Sequence, residues 1–326
     1  MNYLHTEIVV IISEIKAGQN LPSRPLVSVI MGVFNRQQFL AEAIESVLNQ
    51  TLPDFEVILV NDGSTDRSLE ILGLYAQRDS RIIVISSEAN RGIARSLNVG
   101  ISRARAEYLA VMDSDDVALP GRLETELNYF KAHDEIALLG SHAKLVDSRG
   151  AEIRAEVDLP PDHHDIDDAL LAGGWPIIHP TVMMRTSVIQ ALGGYNERFR
   201  SNVDHELFLR VAEKWKLANL QDVLLLYRVH HQAMTAQRSR MDHRVVQQTI
   251  IREACERRSL PYPPQIIPRN RGLSFHQAYW QTGVRGGRQL IRLLFRSPRA
   301  FCGQLLLTVR RSTRLRRLLR PQSRCF

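Results

Sequence analysis

Short apolar runs alternate with amphipathic segments along the first 120 residues of this 326-residue chain. The apolar runs are rich in β-branched residues, which predicts buried strands at 26–34, 55–60, 81–85 and 108–112. Apolar residues between these runs recur at helical spacing, which predicts helices at 37–49, 66–77 and 92–103. The alternation indicates an α/β fold with βαβ units and a largely parallel, Rossmann-like sheet flanked by helices. Ligands of such sheets bind beyond the carboxyl ends of the strands, at the loops 61–66 and 113–116.

The pattern is weaker after residue 140. It predicts a hairpin at 144–152, strands at 177–184 and 223–229, and a helix at 203–213. Past residue 233 it predicts helices to the end of the chain, broken at the prolines of 261–268 and at Pro298. We therefore divide the chain into an extension at 1–24, a main domain at 25–232 with halves at about 25–116 and 117–232, and a C-terminal helical region at 233–326.

Composition and charge separate the C-terminal region from the rest. A hydrophobic fraction of 44% excludes a disordered chain, and three cysteines without metal spacing predict a reduced, cytoplasmic compartment. Sixteen of the 42 basic residues, all Arg, lie between 257 and 326, where no Lys, Asp or Glu occurs. The preceding 256 residues hold 26 basic and 35 acidic residues, a net charge of −9. An acidic body therefore precedes a basic tail, and no apolar run reaches the about 20 residues of a membrane span.

The loop after the second predicted strand reads Val-Asn-Asp-Gly-Ser-Thr-Asp at 60–66. A turn with a helix N-cap explains Gly63 and either Ser64 or Asp66. It does not explain Asp62, which lies at the strand's carboxyl end, where a ligand would bind. Neither GxGxxG nor GxxxxGK[ST] occurs here, which argues against a classical dinucleotide fold and a P-loop.

Three carboxylates within four residues follow the fourth predicted strand, in the sequence Asp-Ser-Asp-Asp at 113–116. Unpaired, they would repel one another, and a hard cation such as Mg²⁺ or Mn²⁺ would relieve that repulsion. An acidic N-cap for a helix beginning near Pro120 is the alternative, and the local sequence leaves both readings open. An EF-hand is a poor fit, because its sixth-position glycine would be Ala118.

A further carboxylate, Asp204, shares a helical face with the apolar residues at i+3, i+4 and i+7 of the predicted helix 203–213. A carboxylate on an apolar stripe is costly unless it caps the helix or works in a site. Because Asp204 lies in the first turn, capping and general-base catalysis are both consistent with the pattern.

Together these segments resemble a family 2 glycosyltransferase of the non-processive, bacterial polysaccharide type, whose members have the GT-A fold. The resemblance covers residues 26–230, about two thirds of the chain. Eight motifs occur in order: VSVIMGVFN (27–35), VNDGSTD (60–66), NRGIARSLNVGI (90–101), MDSDD…PGRL (112–123), HPTVMMR (179–185), GGYNERF (193–199), VDHELFLR (203–210) and YRVH (227–230).

The resemblance implies a role for particular residues. It implies that the base of a nucleotide-sugar is held by four residues: Val33, Phe34, Asn35 and Asp62. Asp113 and Asp115 would contact the ribose and the Mg²⁺ or Mn²⁺ on the diphosphate, and Asp204 would be the general base. Arg122 and His179 would help to shape the sugar and phosphate pocket.

The sequence departs from the family pattern at three points. Gly32 and Phe34 replace the usual proline and tyrosine, which changes the lip of the nucleotide pocket. Val203 replaces the glutamate before the base, which removes one supporting carboxylate. The Gln-x-x-Arg-Trp motif of processive synthases is absent from the sequence.

The implied reaction is transfer from a nucleotide-diphosphate sugar, most commonly UDP-linked, to a saccharide or lipid-linked acceptor. One base without a second catalytic carboxylate fits a single displacement with inversion. A non-catalytic nucleotide-sugar-binding regulatory protein is the alternative function. The tail predicts peripheral attachment to an anionic membrane, on its cytoplasmic face. Nucleic acid is not the expected partner, because the tail interleaves Leu and Phe rather than stacking aromatics.

Overall fold

The computed structural model describes residues 10–11, 25–153, 159–233 and 240–264. These residues all lie in the first of the two units of the chain, Met1–Tyr279. Most of the predicted extension at 1–24, and the tail from residue 265 onward, lie outside the described residues, as does the predicted break at Pro298. Among the described helices, none has the length and apolar character needed to cross a bilayer.

One mixed sheet of ten strands forms the centre of the described structure. The strands are β1 (Val10–Ile11), β2 (Val27–Val33), β3 (Phe55–Asp62), β4 (Ile82–Ser87), β5 (Tyr108–Asp113), β6 (Val117–Ala118), β7 (Ile136–Val146), β8 (Glu152–Ile153), β9 (Met183–Arg185) and β10 (Lys216–Arg228). Their order is β1-β4-β3-β2-β5-β9-β7-β10-β6, with β8 paired to β7. β4, β3, β2 and β5 are parallel, so their carboxyl ends lie at one edge of the sheet. β9 is antiparallel to both β5 and β7, and β10 runs parallel to β7.

Helices cover the sheet. They are α1 (Leu40–Leu48), α2 (Ser68–Arg78), α3 (Ile93–Arg103), α4 (Arg122–Ala132), α5 (His163–Leu171), α6 (Thr186–Ala191), α7 (Val203–Ala212) and α8 (Arg240–Arg257). α3 lies unusually close to β2, because a Cβ on Gly100 would come within 2.4 Å of a methyl group of Ile30. An alanine at this position would push the helix off the strand.

The predicted elements of the first half are confirmed, with ends shifted by three residues or fewer. The hairpin at 144–152 and the helix at 203–213 are also present. The predicted strand at 177–184 is wrong in its first part, where His179–Thr181 form a 3₁₀ turn and only Met183–Arg185 are extended. Pro180 explains the difference, because it lacks an N–H for the sheet and is favoured in the first turn of a helix.

The boundary predicted at residue 232 also needs correction, because the packed domain continues beyond it. α8 contacts α5 and α7, and it buries Ile250, Ile251, Ala254 and Cys255 in the same apolar core as those helices. Burial of these four side chains favours the docked helix, at about 25 cal/mol per Å² of apolar surface removed from water. At least the segment 240–257 of the predicted C-terminal region is therefore part of the main domain.

Candidate active site

A cavity of about 830 Å³ opens at the carboxyl ends of β2, β3 and β5, where the sequence predicted ligand binding. Eight of the nine predicted site residues line it: Val33, Phe34, Asn35, Asp62, Asp113, Asp115, His179 and Asp204. The first six lie at or just after the ends of the parallel strands β2, β3 and β5. His179 begins the 3₁₀ turn 179–181, and Asp204 lies in the first turn of α7. The fold thus brings together carboxylates that are up to 142 positions apart in the sequence.

The end of β2 forms one wall of the cavity and is tied to the loop after β3. Asn35 has a left-handed backbone, with a φ of 53°, which a short amide side chain tolerates. Its Oδ1 accepts a hydrogen bond from the backbone N–H of Thr65 at 2.8 Å, and its own N–H donates to Ser64 Oγ at 3.1 Å. Phe34, at the lip, is 39% exposed. This wall therefore presents a partly exposed aromatic side chain next to a polar turn that hydrogen bonds hold in place.

Asp62 holds the loop that begins α3. Its two carboxylate oxygens accept hydrogen bonds from the backbone N–H groups of Arg91 at 2.7 Å and Gly92 at 2.8 Å. The next residue, Gly63, has a φ of 67°, and a Cβ there would lie 2.6 Å from the backbone of Ala89. Asp62 thus fixes two adjacent loops as well as lining the cavity, a structural role that the sequence did not reveal.

The Asp-Ser-Asp-Asp segment forms a tight group of carboxylates. One ligand oxygen from each of Asp113, Asp115 and Asp116 lies within 4.8 Å of the others. Burial, together with the neighbouring Asp115 charge, raises the pKa of Asp113 to about 6. Burial also raises the pKa of Asp116 well above its usual value. Asp116 Oδ1 accepts the backbone N–H of Arg228 at 2.7 Å, whereas the buried Oδ2 has no partner among the described residues.

Two side chains that the sequence analysis did not select hold Asp115. Arg36 Nε donates to Asp115 Oδ2 at 3.0 Å, and His230 Nε2 lies 3.0 Å from the same oxygen. Burial alone would raise the pKa of Asp115, but the His230 contact and the Arg36 charge lower it below the usual value. His230 belongs to the YRVH motif and Arg36 directly follows VSVIMGVFN. These positions in or beside the motifs are the signal that could have identified them as site residues.

Arg228, at the end of β10, fixes the backbone of the same segment. Its side chain is 3% exposed, and its Nε donates to the carbonyl oxygen of Asp115 at 2.8 Å. Its Nη2 donates to Glu42 at 2.7 Å, and its guanidinium lies 5.0 Å from the ring centroid of Phe39. The backbone of the Asp-Ser-Asp-Asp segment is therefore fixed by the end of β10.

His179 faces the cavity and is oriented by a buried tyrosine. Its Nε2 lies 2.9 Å from the hydroxyl of Tyr195, which is 2% exposed. Burial raises the pKa of Tyr195 well above its usual value, and the nearby charges of Asp204 and Asp113 raise it further. The hydroxyl therefore stays protonated, and it shares with His179 Nε2 a hydrogen bond whose direction depends on the tautomer of the imidazole ring. Tyr195 lies within the GGYNERF motif but was not singled out.

Asp204 is the second residue of α7 and lines the cavity. Its charge contributes to the raised pKa of both Asp113 and Tyr195, so these groups form one electrostatic cluster. Glu206, two residues further along, forms an ion pair with Arg210 at 2.7 Å and is 3% exposed. The two acidic residues of this turn therefore differ, with Glu206 in an ion pair and Asp204 at the cavity.

Arg122 is the one predicted site residue that the structure does not bring to the cavity. It lies in the first turn of α4 and is 1% exposed. Its Nε donates to Glu126 at 3.1 Å, and its Nη2 donates to the carbonyl oxygen of Val111 at 2.9 Å. Val111 belongs to β5 and Glu126 to α4, so the guanidinium joins the helix to the strand inside the core.

Comparisons with known proteins show which family the chain belongs to. The family model described as "Glycosyl transferase family 2" matches residues 28–193. The chain is 36% identical over 251 residues to "Putative glycosyltransferase EpsE" of Bacillus subtilis, covering 75% of this chain and 87% of that protein. It is 31% identical to "O-antigen biosynthesis glycosyltransferase WbnJ" of Escherichia coli, covering 64% and 81% of the two chains.

Solved structures show the same fold at low sequence identity. S. aureus TarS 1–349 in complex with UDP-GlcNAc superposes with a TM-score of 0.58 at 21% identity, over 69% of this chain and 65% of that chain. The mannosyltransferase PcManGT from Pyrobaculum calidifontis, in complex with GDP-Man and Mn²⁺, gives a TM-score of 0.52 at 20% identity, over 71% and 65%. The chain belongs to glycosyl transferase family 2 and is a glycosyltransferase with the GT-A fold.

Proposed function

We propose that the protein is an inverting, metal-dependent transferase that moves a sugar from a UDP-linked donor to a saccharide or lipid-linked acceptor. One observation carries the proposal: a single cavity gathers the polar turn at Asn35, the carboxylate of Asp62, the Asp113–Asp115 pair and Asp204. Such a cavity offers nucleotide, diphosphate and acceptor positions in sequence along one surface.

The donor occupies the side formed by β2 and β3 in this proposal. Phe34 offers an exposed ring on which a nucleobase can stack, and Asp62 and Asn35 supply polar groups at its edge. Uridine is proposed because two solved structures of TarS with this fold hold UDP and UDP-GlcNAc. PcManGT holds GDP-Man instead, so the base has to be established for this chain by binding.

The Asp113–Asp115–Asp116 group fits a divalent cation. Three carboxylates lie within 4.8 Å, and burial opposes their ionisation while a buried oxygen of Asp116 has no partner among the described residues. Clustered oxygen ligands of this kind suit Mg²⁺ or Mn²⁺, and Asp113 and Asp115 would hold the ion. When bound, such an ion neutralises the charge that develops on the leaving nucleotide diphosphate.

Asp204 acts as the general base. Its carboxylate takes the proton of the acceptor hydroxyl as that oxygen forms a bond to the anomeric carbon. The bond from the anomeric carbon to the diphosphate oxygen breaks in the same step, and the diphosphate leaves with the electron pair. One displacement from the opposite face inverts the anomeric configuration.

The proposal is tested by nucleotide release from UDP-glucose, UDP-galactose, UDP-N-acetylglucosamine and GDP-mannose, with Mg²⁺, Mn²⁺ or EDTA. The expected result is nucleotide release that depends on the added metal and that is fastest with one UDP-sugar. Analysis of the released sugar should show an inverted anomeric configuration. Binding without metal-dependent release under any of these conditions would favour the non-catalytic regulator instead.

The acceptor and the membrane are proposed from the tail and from one relative. WbnJ is named for O-antigen biosynthesis, which supports a role in polysaccharide biosynthesis with a saccharide or lipid-linked acceptor. Arg257 and Arg258 pair with Glu213 and Asp167, and the other fourteen arginines of 257–326 would attract an anionic leaflet by about 1 kcal/mol each, on the cytoplasmic face where nucleotide-sugars are made. Sedimentation with anionic vesicles at low salt should pull down the enzyme, whereas deletion of residues 285–326 or high salt should abolish binding.

A further inference from the structure

α8 begins beside the active-site cavity, although it lies outside the range of the family match. His243 near its start lines the cavity, and the family match ends at residue 193. The far end of the helix is anchored, since Arg258 donates to Asp167 of α5 at 2.7 Å and to the carbonyl oxygen of Leu209 of α7 at 2.8 Å. With its buried apolar residues, α8 is thus a fixed part of the domain.

The start of α8 is joined to the start of α7 by a reciprocal pair of hydrogen bonds. Asn202 Nδ2 donates to the carbonyl oxygen of His243 at 2.9 Å, and His243 Nδ1 lies 2.9 Å from Asn202 Oδ1. A carbonyl oxygen only accepts, so the amide nitrogen of Asn202 must face it. The amide oxygen then faces His243, whose Nδ1 must carry the proton and donate.

Asn202 has an unusual conformation for the residue that precedes a helix. Its backbone is left-handed, with a φ of 57°, and it is 5% exposed. It stands at the N-cap of α7 but makes no side-chain capping hydrogen bond within the described structure, because its amide is turned to His243. Its carbonyl oxygen accepts the N–H of Glu206 at 3.1 Å, which is the first backbone bond of α7. The contact with α8 therefore offsets the cost of the left-handed backbone and of the missing side-chain cap, and it fixes where α7 begins.

We propose that His243 is a positioning residue for the reaction: it holds Asn202, and through Asn202 it sets the position of Asp204 two residues further along. The inference rests on the proposed role of Asp204 as the base. A base must lie within hydrogen-bond reach of the proton it removes, and a misplacement of about 1 Å can cost turnover up to 10²-fold. Donor binding involves the opposite wall, so it should not depend on His243.

The experiment compares His243→Leu with His243→Asn, using the UDP-sugar that the wild-type protein hydrolyses fastest and water as the acceptor. The asparagine amide reaches the position of Nδ1 and can still donate to Asn202, whereas leucine fills the space without a donor. We expect His243→Leu to lower kcat about tenfold with the donor KM unchanged. His243→Asn should recover kcat to within about threefold of the wild type.

Three further variants separate positioning from folding. Asn202→Gly accepts the left-handed backbone without strain and removes both bonds, so it should lose as much kcat as His243→Leu. The kcat of the double variant, Asn202→Gly with His243→Leu, should be no lower than that of either single variant, because both changes remove the same pair of hydrogen bonds. Glu253→Gln is the matched control, since it breaks an α8 ion pair with Arg198 that does not line the cavity, and its kcat should not change.

The outcomes distinguish this inference from the proposed function. If the wild type releases no nucleotide, or if Asp204→Asn is fully active, the proposed role of Asp204 fails and the inference fails with it. If Asp204 behaves as proposed but His243→Leu keeps its kcat, raises only KM, or is not rescued by His243→Asn, the inference alone is overturned. Should His243→Leu fail to fold, Asn202→Gly with unchanged kcat would overturn it equally.

Discussion

The two sides of the cavity are built in different ways. On the donor side, the contacts of Asp62 and Asn35 join residues 29 or 30 positions apart, from successive strand–helix units. On the side of the carboxylate group, Asp115 meets His230 and Asp116 meets Arg228, over separations of 115 and 112 residues. The contacts of the donor wall therefore form within the first βα units. The carboxylates of Asp115 and Asp116 are instead held by residues at or just after the end of β10, the last described strand along the chain.

This difference divides the expected effects of substitution. Changes on the donor wall should act on local loops and on nucleotide affinity. Changes around the carboxylates and Asp204 should act on metal binding and turnover, because distant segments fix the geometry there.

The largest effect is expected for Asp115→Ala. This removes the carboxylate that Arg36 and His230 both hold, so we expect metal-dependent donor binding and transfer to be abolished. Calorimetry with donor, in the presence and absence of Mn²⁺, measures the loss. Asp134→Ala is the control, because its side chain is 98% exposed and should leave binding unchanged. Metal-dependent donor binding that persists in Asp115→Ala would show that the metal site lies elsewhere.

Asp204→Asn should separate the two sides most sharply. The amide keeps the size of the side chain and an oxygen near the helix start, but it cannot take a proton. Turnover should fall by about 10²-fold or more, while donor affinity measured by calorimetry stays within about twofold. If Asp204→Asn turns over normally and Asp204→Ala only lowers the melting temperature, Asp204 is a helix cap rather than the base.

Arg122 shows where sequence reasoning reached its limit. The order of the first strands and helices follows from local patterns, as do the candidate carboxylates at their ends. Eight of the nine predicted site residues line the cavity, but for Val33, Phe34, Asn35 and His179 only the family resemblance indicated a role. The direction of the Arg122 side chain could not be predicted, since it depends on Glu126 and on the carbonyl of Val111 in β5. The same holds for His243, whose link to Asn202 spans 41 residues. β7 was predicted only at its end, because Gly140, Ser141 and His142 interrupt its apolar run.

Removing Arg122 should therefore affect folding rather than chemistry. Arg122→Ala removes one partner of a buried ion pair, which should cost about 3–5 kcal/mol in the free energy of unfolding. Burial already raises the pKa of Glu126, at 0% exposure, to about 7, so its carboxyl should take up a proton when Arg122 is removed. Urea denaturation measures the loss of stability, and the double change Arg122→Met with Glu126→Leu should recover most of it. Arg67→Ala breaks the exposed pair with Glu70 and should leave the free energy of unfolding nearly unchanged, because solvent screens both charges. A folded Arg122→Ala protein with a strongly raised donor KM would instead return Arg122 to the site.

The smallest effect is expected at Glu42, the outermost partner of Arg228. The Glu42 side chain is 57% exposed, so solvent screens its charge, and the 2.7 Å contact should contribute less than about 1 kcal/mol. Glu42→Gln keeps an acceptor for the guanidinium and removes only the charge. Arg228 remains fixed by the carbonyl of Asp115 and by the ring of Phe39. We therefore expect turnover and metal affinity within about twofold of the wild type. A large loss in Glu42→Gln would mean that the surface, rather than the buried end of β10, holds the carboxylate group, and the contrast between the two sides of the cavity would no longer stand.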